Sequence, residues 1–219
     1  MAMYNRPAFP RRRPGLADLA VAVFVFSVLY AFVRLGAGMT VPFSETQQPG
    51  ISLNPAYLPY YAGRSLLRMF LAFGASVAFT LVYGYIAAKN RAAEKVLIPL
   101  LDILQSVPVL GFLSATVVAF MALFPGRLTG VEMASVFAIF TGQVWNMTFS
   151  FYHSLVTVPS DLQEVAYIYR LNWWQRFVRL EVPYSMIGLV WNSMMSFGGG
   201  WFFLAASEAI SVLNKKIQL

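Results

Sequence analysis

The sequence predicts an all-α, polytopic membrane protein with about five transmembrane helices. Hydrophobic residues make up 58% of the chain and charged residues only 11%, which leaves too little polar surface for an ordinary soluble domain. Apolar runs long enough to cross about 30 Å of hydrocarbon recur along the chain. Between two of these runs, the polar stretch 159–183 carries the start signals of two short helices.

The first predicted elements are a basic tail and one span. Residues 1–15 contain four arginines and no acidic residue, so we expect a cytoplasmic tail that is disordered or lies on the membrane surface. Residues 16–219 are predicted to form the membrane domain. Its first span is Leu16–Gly38, a long apolar run flanked by Asp18 and Arg34.

The middle of the chain predicts two more spans, the second of them broken. Proline, glycine and small polar residues make 39–59 an external loop, and Tyr60–Lys89 is the second span. The next apolar run, Val96–Phe124, is interrupted at Pro108, because proline donates no backbone hydrogen bond and disfavours helix in the residue before it. We expect the first half of this broken helix to be packed in protein.

The last predicted elements fix the orientation of the chain. A tight turn at 125–130 precedes a fourth span at Val131–Val158, and Tyr184–Ala206 is the fifth span. If the spans alternate in direction, ten of the 16 lysines and arginines lie on the same side as the tail. The positive-inside rule therefore predicts that the tail and the stretch 159–183 are both cytoplasmic.

The stretch 159–183 predicts two short helices joined by a corner. Ser160 with Gln163, and Asn172 with Gln175, each have the pattern of a capping box, in which two side chains satisfy free backbone N–H groups at a helix start. The second helix therefore begins before the first has run more than about three turns. Four residues share one face of the first helix: Leu162, Val165, Ala166 and Tyr169. Pro183 ends the pair.

The same residues resemble the EAA loop in permease subunits of bacterial ABC importers. The residues that carry the resemblance are Glu164, Val165 and Ala166, then Trp174, Gln175 and Phe177, then Pro183. The likeness covers about 60–206, is strongest in 160–206, and is closest to the branch that handles nitrate, sulfonates, taurine and bicarbonate. Val165 stands where the family usually has alanine, and Arg170 where it has glycine. With arginine at that position, we expect Asn172 to take the strained backbone conformation.

This resemblance implies a permease, about residues 59–219, in the bacterial inner membrane with a cytoplasmic N-terminus. Its partners would be ABC ATPase subunits, a second permease unit as a homodimer or a fused or paired half, and an extracytoplasmic solute-binding protein. The loop would be a coupling helix that docks on the ATPase. Its coupling residues would be Leu162, Glu164, Val165, Ala166, Tyr167, Tyr169, Arg170 and Trp174. The family continues through a further span, so we expect the chain to lack the final one.

Several chemistries are excluded by composition. No phosphate-binding loop of the GxxxxGK[ST] type occurs, so ATP and Mg²⁺ would be bound by a partner subunit, and we expect neither a bound cofactor nor enzymatic activity in this chain. The absence of cysteine and the single histidine, His153, exclude cysteine-ligated and multi-histidine metal sites. The net charge of +7 lies beside apolar spans, which favours membrane lipid over nucleic acid as a partner.

Polar residues within the spans are candidates for a solute pathway. The candidates are Gln143, Asn146, Asn192, Ser196 and Gly199. Amides and hydroxyls in a span face the bundle interior or water, and they serve equally well as interhelical hydrogen bonds. Glu132 and Glu208 are expected at the external interface. External arginines, Arg64 and Arg68 among them, would suit an anionic solute.

Two other functions are compatible with the sequence. A secondary transporter or channel would use an ion gradient and would need paired acidic residues near the midplane of the membrane. A non-transporting membrane scaffold is favoured by the missing final span. Attachment of an ATPase through the loop would distinguish the importer from both alternatives.

Overall fold

A computed structural model describes residues 16–38, 54–212 and 215–218, and the predicted tail 1–15 and most of the predicted loop 39–59 lie outside these ranges. The described chain is built mainly from α-helices. They are α1 (Leu16–Ala37), α2 (Leu58–Lys89), α3 (Arg91–Ser106), α4 (Val109–Leu123), α5 (Thr129–Val156), α6 (Ser160–Ile168), α7 (Trp173–Arg176) and α8 (Val182–Glu208). A 3₁₀ turn at Pro55–Tyr57 precedes α2, and a π-helical turn at Phe177–Glu181 joins α7 to α8. The all-α class is confirmed.

Helix α5 lies at the centre of the bundle, where it packs against α2, α4 and α8. Two clusters of buried side chains fill the space among α2, α5 and α8: Met69, Ala72, Ile139 and Leu204, and Met147, Phe151, Leu155 and Leu189. A third cluster joins Leu113 and Val117 of α4 to Ala134 and Ala138 of α5. Because lipid tails are as apolar as these side chains, close packing and polar contacts between helices hold such a bundle together.

Helices α4 and α5 approach so closely that Gly130 has no room for a side chain. A Cβ atom at this position would lie 2.8 Å from the carbonyl oxygen of Phe120 and 2.9 Å from the Cα atom of Met121. Any other residue would therefore push the two helix backbones apart. The predicted tight turn between α4 and α5 is confirmed, and Gly126 supplies its positive φ of 69°.

The interruption predicted at Pro108 is confirmed. Helix α3 ends at Ser106, and the axes of Arg91–Ser106 and Gly111–Leu123 differ by 104°. Proline at 108 lies at the start of α4, where its missing N–H costs nothing. The expectation that the first half is packed in protein is wrong within this chain. Leu101 is the buried residue of α3, while Val96 and Ile103 are 64% and 63% exposed.

The predicted bounds of the spans agree with the observed helices. By length and apolar composition, Asp18–Ala37 and Pro55–Lys89 could each cross a membrane, and the bent pair α3–α4 could be a third crossing. Helices α5 and α8 have 28 and 27 residues, about 40 Å at 1.5 Å per residue, and their polar side chains lower their hydropathy. The count of five crossings stays a prediction.

The chain after α8 forms a short β-hairpin that the sequence did not predict. Strands β1 (Ala209–Val212) and β2 (Lys215–Gln218) pair antiparallel, with Ala209 opposite Gln218 and Val212 opposite Lys215. Two four-residue strands thus follow the helices in the described part of the chain.

Candidate functional site

The stretch 159–183, which we call the elbow, contains the two predicted helices, α6 and α7. The capping box predicted at Ser160 is wrong: Pro159 takes the cap position with an extended backbone, and Ser160 is the first helical residue. Gln163 therefore does not reach back to a backbone N–H, and its amide nitrogen donates to the carbonyl of Val158 at 2.9 Å. Because proline already has the extended conformation that a cap requires, the helix begins one residue earlier than predicted.

The second capping box is confirmed. The backbone N–H of Gln175 donates to the side-chain oxygen of Asn172 at 2.8 Å, and the N–H of Asn172 donates to the side chain of Gln175 at 3.2 Å. These two bonds satisfy donors at both ends of the first turn of α7. The direction in which the chain leaves the corner is therefore fixed locally.

The corner itself contradicts the expectation for Asn172. Arg170 has the positive φ, 48°, while Asn172 has an ordinary φ of −70°. The N–H of Arg170 donates to the carbonyl of Tyr167, and that of Leu171 to the carbonyl of Ala166. These are the two bonds of a Schellman motif, and Arg170 occupies the position after the helix end that glycine usually fills. Arginine thus keeps the glycine geometry at a conformational cost.

Seven of the eight predicted coupling residues are exposed on the elbow. They are Leu162, Glu164, Val165, Tyr167, Tyr169, Arg170 and Trp174, which we call the elbow surface. Tyr167 and Tyr169 are 85% and 75% exposed, and Trp174 is 56% exposed. The eighth residue, Ala166, is buried and faces the chain itself. Large apolar and aromatic side chains exposed together mark a contact surface for another protein or for the membrane.

Two of the five pathway candidates line one groove between α5 and α8. The groove has a volume of about 480 Å³ and is lined by Asn146, Phe149, Ser150, Tyr152, His153 and Asn192. Asn192 donates its amide to the carbonyl of Gly188 in its own helix at 2.9 Å, so its amide oxygen faces away from that bond. The groove joins amide, hydroxyl and imidazole groups, and no carboxylate, lysine or arginine is among its lining residues.

The other three candidates do not lie in the groove. Gln143 and Ser196 are buried, and within the described residues neither the Gln143 side-chain oxygen nor the Ser196 hydroxyl has a hydrogen-bond partner. The Gln143 amide nitrogen contacts the sulfur of Met69 at 3.7 Å and lies against Gly200. Gly199 is exposed, with open space where its side chain would be. In the glycine triplet 198–200, for which the sequence favours close packing, Gly200 is the close-packed residue.

A buried ion cluster, which the sequence did not predict, joins α2, α5 and α8. Its members are Arg64, Arg68, Glu132 and Glu208. The Arg68 guanidinium, 1% exposed, donates to Glu132 at 2.5 and 3.0 Å and to Glu208 at 3.2 Å, and Arg64 also pairs with Glu132. The Ser65 hydroxyl donates to Glu208 at 2.5 Å. Glu132 lies in the first turn of α5 and is 2% exposed, whereas Arg64 and Glu208 are 17% and 32% exposed. The expected place of Glu132 and Glu208 at the external interface stays a prediction.

The ion cluster also bears on the expectation that Arg64 and Arg68 would suit an anionic solute. Two carboxylates neutralise Arg64 and Arg68, so these two guanidinium groups are not free to attract an anion. One signal in the sequence was available: two arginines four residues apart in an apolar helix need acidic partners on neighbouring helices. The sequence alone did not say which carboxylates these were.

Comparison with known proteins gives two matches. The model of the family described as "Binding-protein-dependent transport system inner membrane component" matches residues 80–212, more than half of the chain. The nitrate import permease protein NrtB of Synechocystis sp. is 24% identical over 213 residues, which cover 90% of this chain and 73% of NrtB. The matched range includes the elbow, the groove and Glu132 and Glu208 of the ion cluster.

Proposed function

The chain belongs to the family of inner membrane components of binding-protein-dependent transport systems, and on this premise we propose that it is the permease subunit of an ATP-driven importer. The proposed permease lies in a bacterial inner membrane with its N-terminus and its elbow in the cytoplasm. ATP and Mg²⁺ bind to separate ABC ATPase subunits. An extracytoplasmic solute-binding protein delivers the solute.

The observation that carries the ATPase contact is the elbow surface. Three aromatic side chains, Tyr167, Tyr169 and Trp174, are more than half exposed on a short helix pair outside the long helices. Aromatic side chains of this kind dominate the energetics of protein interfaces. Glu164 and Arg170 add opposite charges at the same surface, which orient a partner and exclude wrong ones. Ala166 supports the surface from within.

The solute pathway is proposed at the groove between α5 and α8. Asn146 and Asn192 line it together with Ser150, so amide and hydroxyl groups would replace the water around a small solute. The groove opens to the outside of the chain, and a second permease unit, as a copy of this chain or a paired half, would close it.

The proposed solute is a small anion of the nitrate type. The support is the likeness to NrtB, whose name states nitrate import. Neutral amide and hydroxyl donors suit a weakly hydrated oxyanion that must be released again. Arg64 and Arg68 are paired with carboxylates and do not support an anionic solute. Because these carboxylates, Glu132 and Glu208, have arginine partners, they are not the free acidic pair that an ion-driven transporter would need.

Replacement of Tyr167 by alanine tests the elbow surface. Loss of one exposed aromatic anchor should weaken binding of the ATPase subunit about tenfold, while the chain still inserts in the membrane. The measurements are co-purification of the ATPase from membranes and nitrate uptake in proteoliposomes that contain the whole transporter.

Val178→Ala is the matched control, because Val178 is 45% exposed in the same loop but lies outside the elbow surface. It should leave ATPase binding unchanged. Normal binding and uptake in Tyr167→Ala would argue against docking at this surface.

A further inference from the structure

A row of polar contacts runs from the elbow to the end of α2. Glu181, the last residue of the π-helical turn, is 1% exposed. Its Oε1 atom accepts from Lys89 Nζ of α2 at 2.6 Å and from Arg176 Nε of α7 at 2.9 Å. The Arg176 guanidinium also donates to the side-chain oxygen of Gln163 in α6 at 3.2 Å. We call Gln163, Arg176, Glu181 and Lys89 the relay.

The carboxylate at the centre of the relay is buried, which strengthens its bonds to the two cations. A carboxylate that is out of water needs charged partners. Lys89 and Arg176 both bond to Oε1 of Glu181, and within the described residues its second oxygen has no hydrogen-bond partner. Hydrogen bonds between charged groups are shorter and stronger than hydrogen bonds between neutral groups. Lys89 and Arg176 therefore connect α2 and α7 through one carboxylate oxygen.

An aromatic contact runs parallel to the relay. The rings of Tyr85 in α2 and Phe177 in the π-helical turn meet edge to face at 5.1 Å, and Phe177 also contacts Trp174 at 5.8 Å. Lys89 Nζ lies 5.7 Å from the centre of the Tyr85 ring. Polar and apolar contacts thus join the same two elements, α2 and the elbow.

The covalent chain does not make this connection. The elbow is continuous with α5 through Pro159 and with α8 through Val182, whereas Lys89 is 92 residues away from Glu181. From these contacts we infer that the relay carries displacement of α6 to α2, with Glu181 as the positioning residue. The inference rests on the proposed function, since it takes α6 to be the part that an ATPase moves.

Three variants test the relay in the assembled transporter: Lys89→Met, Arg176→Met and the double variant. Each single variant should lower nitrate uptake per ATP hydrolysed about tenfold, because each removes one charge-assisted bond of the relay. The double variant, which also carries Glu181→Gln so that no buried carboxylate is left without a cation, should be no worse than either single one, since both break the same connection. ATPase co-purification should stay normal, because both residues lie outside the elbow surface.

Two controls separate the relay from a general effect of charge or folding. Lys95→Met removes an exposed lysine one helix along from Lys89 and should change nothing. Lys89→Arg keeps the charge and should restore most of the coupling. Normal coupling in Lys89→Met, or additive losses in the double variant, would overturn the relay.

A distance measurement gives a readout that does not depend on the solute. The chain has no cysteine, so Asp161→Cys in α6 and Ile86→Cys in α2, both exposed, would carry the only two nitroxide labels on this chain. Between nucleotide-free and vanadate-trapped transporter, the distance between the labels should stay constant with the relay intact. Lys89→Met should make it change or broaden. A distance that changes in the intact protein, or one that ignores Lys89→Met, contradicts the inference.

Failure of the proposed function has a different signature. If no ATPase co-purifies with the unaltered chain, both the proposed function and the relay fall. If the ATPase binds and drives uptake in the unaltered chain, but the relay variants behave like Lys95→Met, only the relay falls.

Discussion

Two adjacent glycines in α8 have opposite environments. A Cβ atom at Gly200 would lie 3.0 Å from the Cε atom of Met69 and would overlap the amide of Gln143, whereas Gly199 has nothing within 4 Å. The ends of both side chains would have to shift, and because Met69 and Gln143 are buried, they would shift against packed neighbours. Gly200→Val should therefore lower the free energy of unfolding by about 1–3 kcal/mol, measured by thermal denaturation in detergent.

Gly199→Val is the control for this substitution. Both variants introduce the same β-branched residue into the same helix, so the difference between them isolates packing. Gly199→Val should unfold at nearly the temperature of the unaltered protein. Equal losses in the two variants would mean that helix propensity, and not contact with α5 and α2, explains the effect.

At the residue scale, the helix face that a side chain occupies could be predicted, but its burial could not. The shared face of Leu162, Val165, Ala166 and Tyr169 follows from helical periodicity, yet only Ala166 is buried. Periodicity says which residues point together, but it does not say how far a short helix projects from the rest of the chain. The exposure of Tyr167 and Tyr169 needed the tertiary structure.

At the scale of elements, the end of α6 stores strain at Arg170. A non-glycine residue with φ of 48° costs about 1 kcal/mol, and the Schellman bonds of Arg170 and Leu171 keep it there. Arg170→Gly should therefore raise the free energy of unfolding by up to about 1 kcal/mol. The measurement is again thermal denaturation of the purified chain.

Arg170→Ala is the matched variant, because it removes the same side chain and keeps the strained backbone. Alanine should give no gain in stability. If alanine and glycine stabilise equally, the side chain and not the backbone conformation is responsible.

Helix starts were predictable where one residue decided them. Asn172 has an extended backbone and a short acceptor side chain, and its capping box formed as predicted. Ser160 had the same pattern, but Pro159 before it had already adopted the extended conformation. The π-helical turn at Phe177–Glu181 had no signal in the sequence, since its residues fit an α-helix equally well.

At the scale of the whole molecule, the ion cluster pairs residues as far apart in the chain as Arg68 and Glu208, which are separated by 140 positions. Glu132 has two arginine partners and is 2% exposed, so its neutral isostere would leave buried positive charge without compensation. Glu132→Gln should lower the free energy of unfolding by about 3 kcal/mol, measured by denaturation of the detergent-solubilised protein.

Glu208→Gln is the control, because Glu208 is 32% exposed and solvent screens its charge. Its loss should be below about 1 kcal/mol. A larger loss for Glu208 than for Glu132 would show that burial does not rank the two carboxylates.

The order and bounds of the long helices could be predicted, because apolar runs and prolines specify them locally. The partners of Arg64 and Arg68 could not, since pairing across three helices depends on packing that no local pattern encodes. The same holds for Glu181, whose position in the sequence gives no sign of its contact with Lys89.

Helix α2 is fastened by charge near both of its ends, through Arg64 and Arg68 at one and Lys89 at the other. While these ion pairs hold, α2 can tilt only together with the elements that carry its acidic partners, which are α5, α8 and the π-helical turn before α8. A rearrangement that leaves these ion pairs intact would therefore occur at the outer boundaries of the block formed by α2, α5 and α8, where α1, α3 or a neighbouring subunit can move past it.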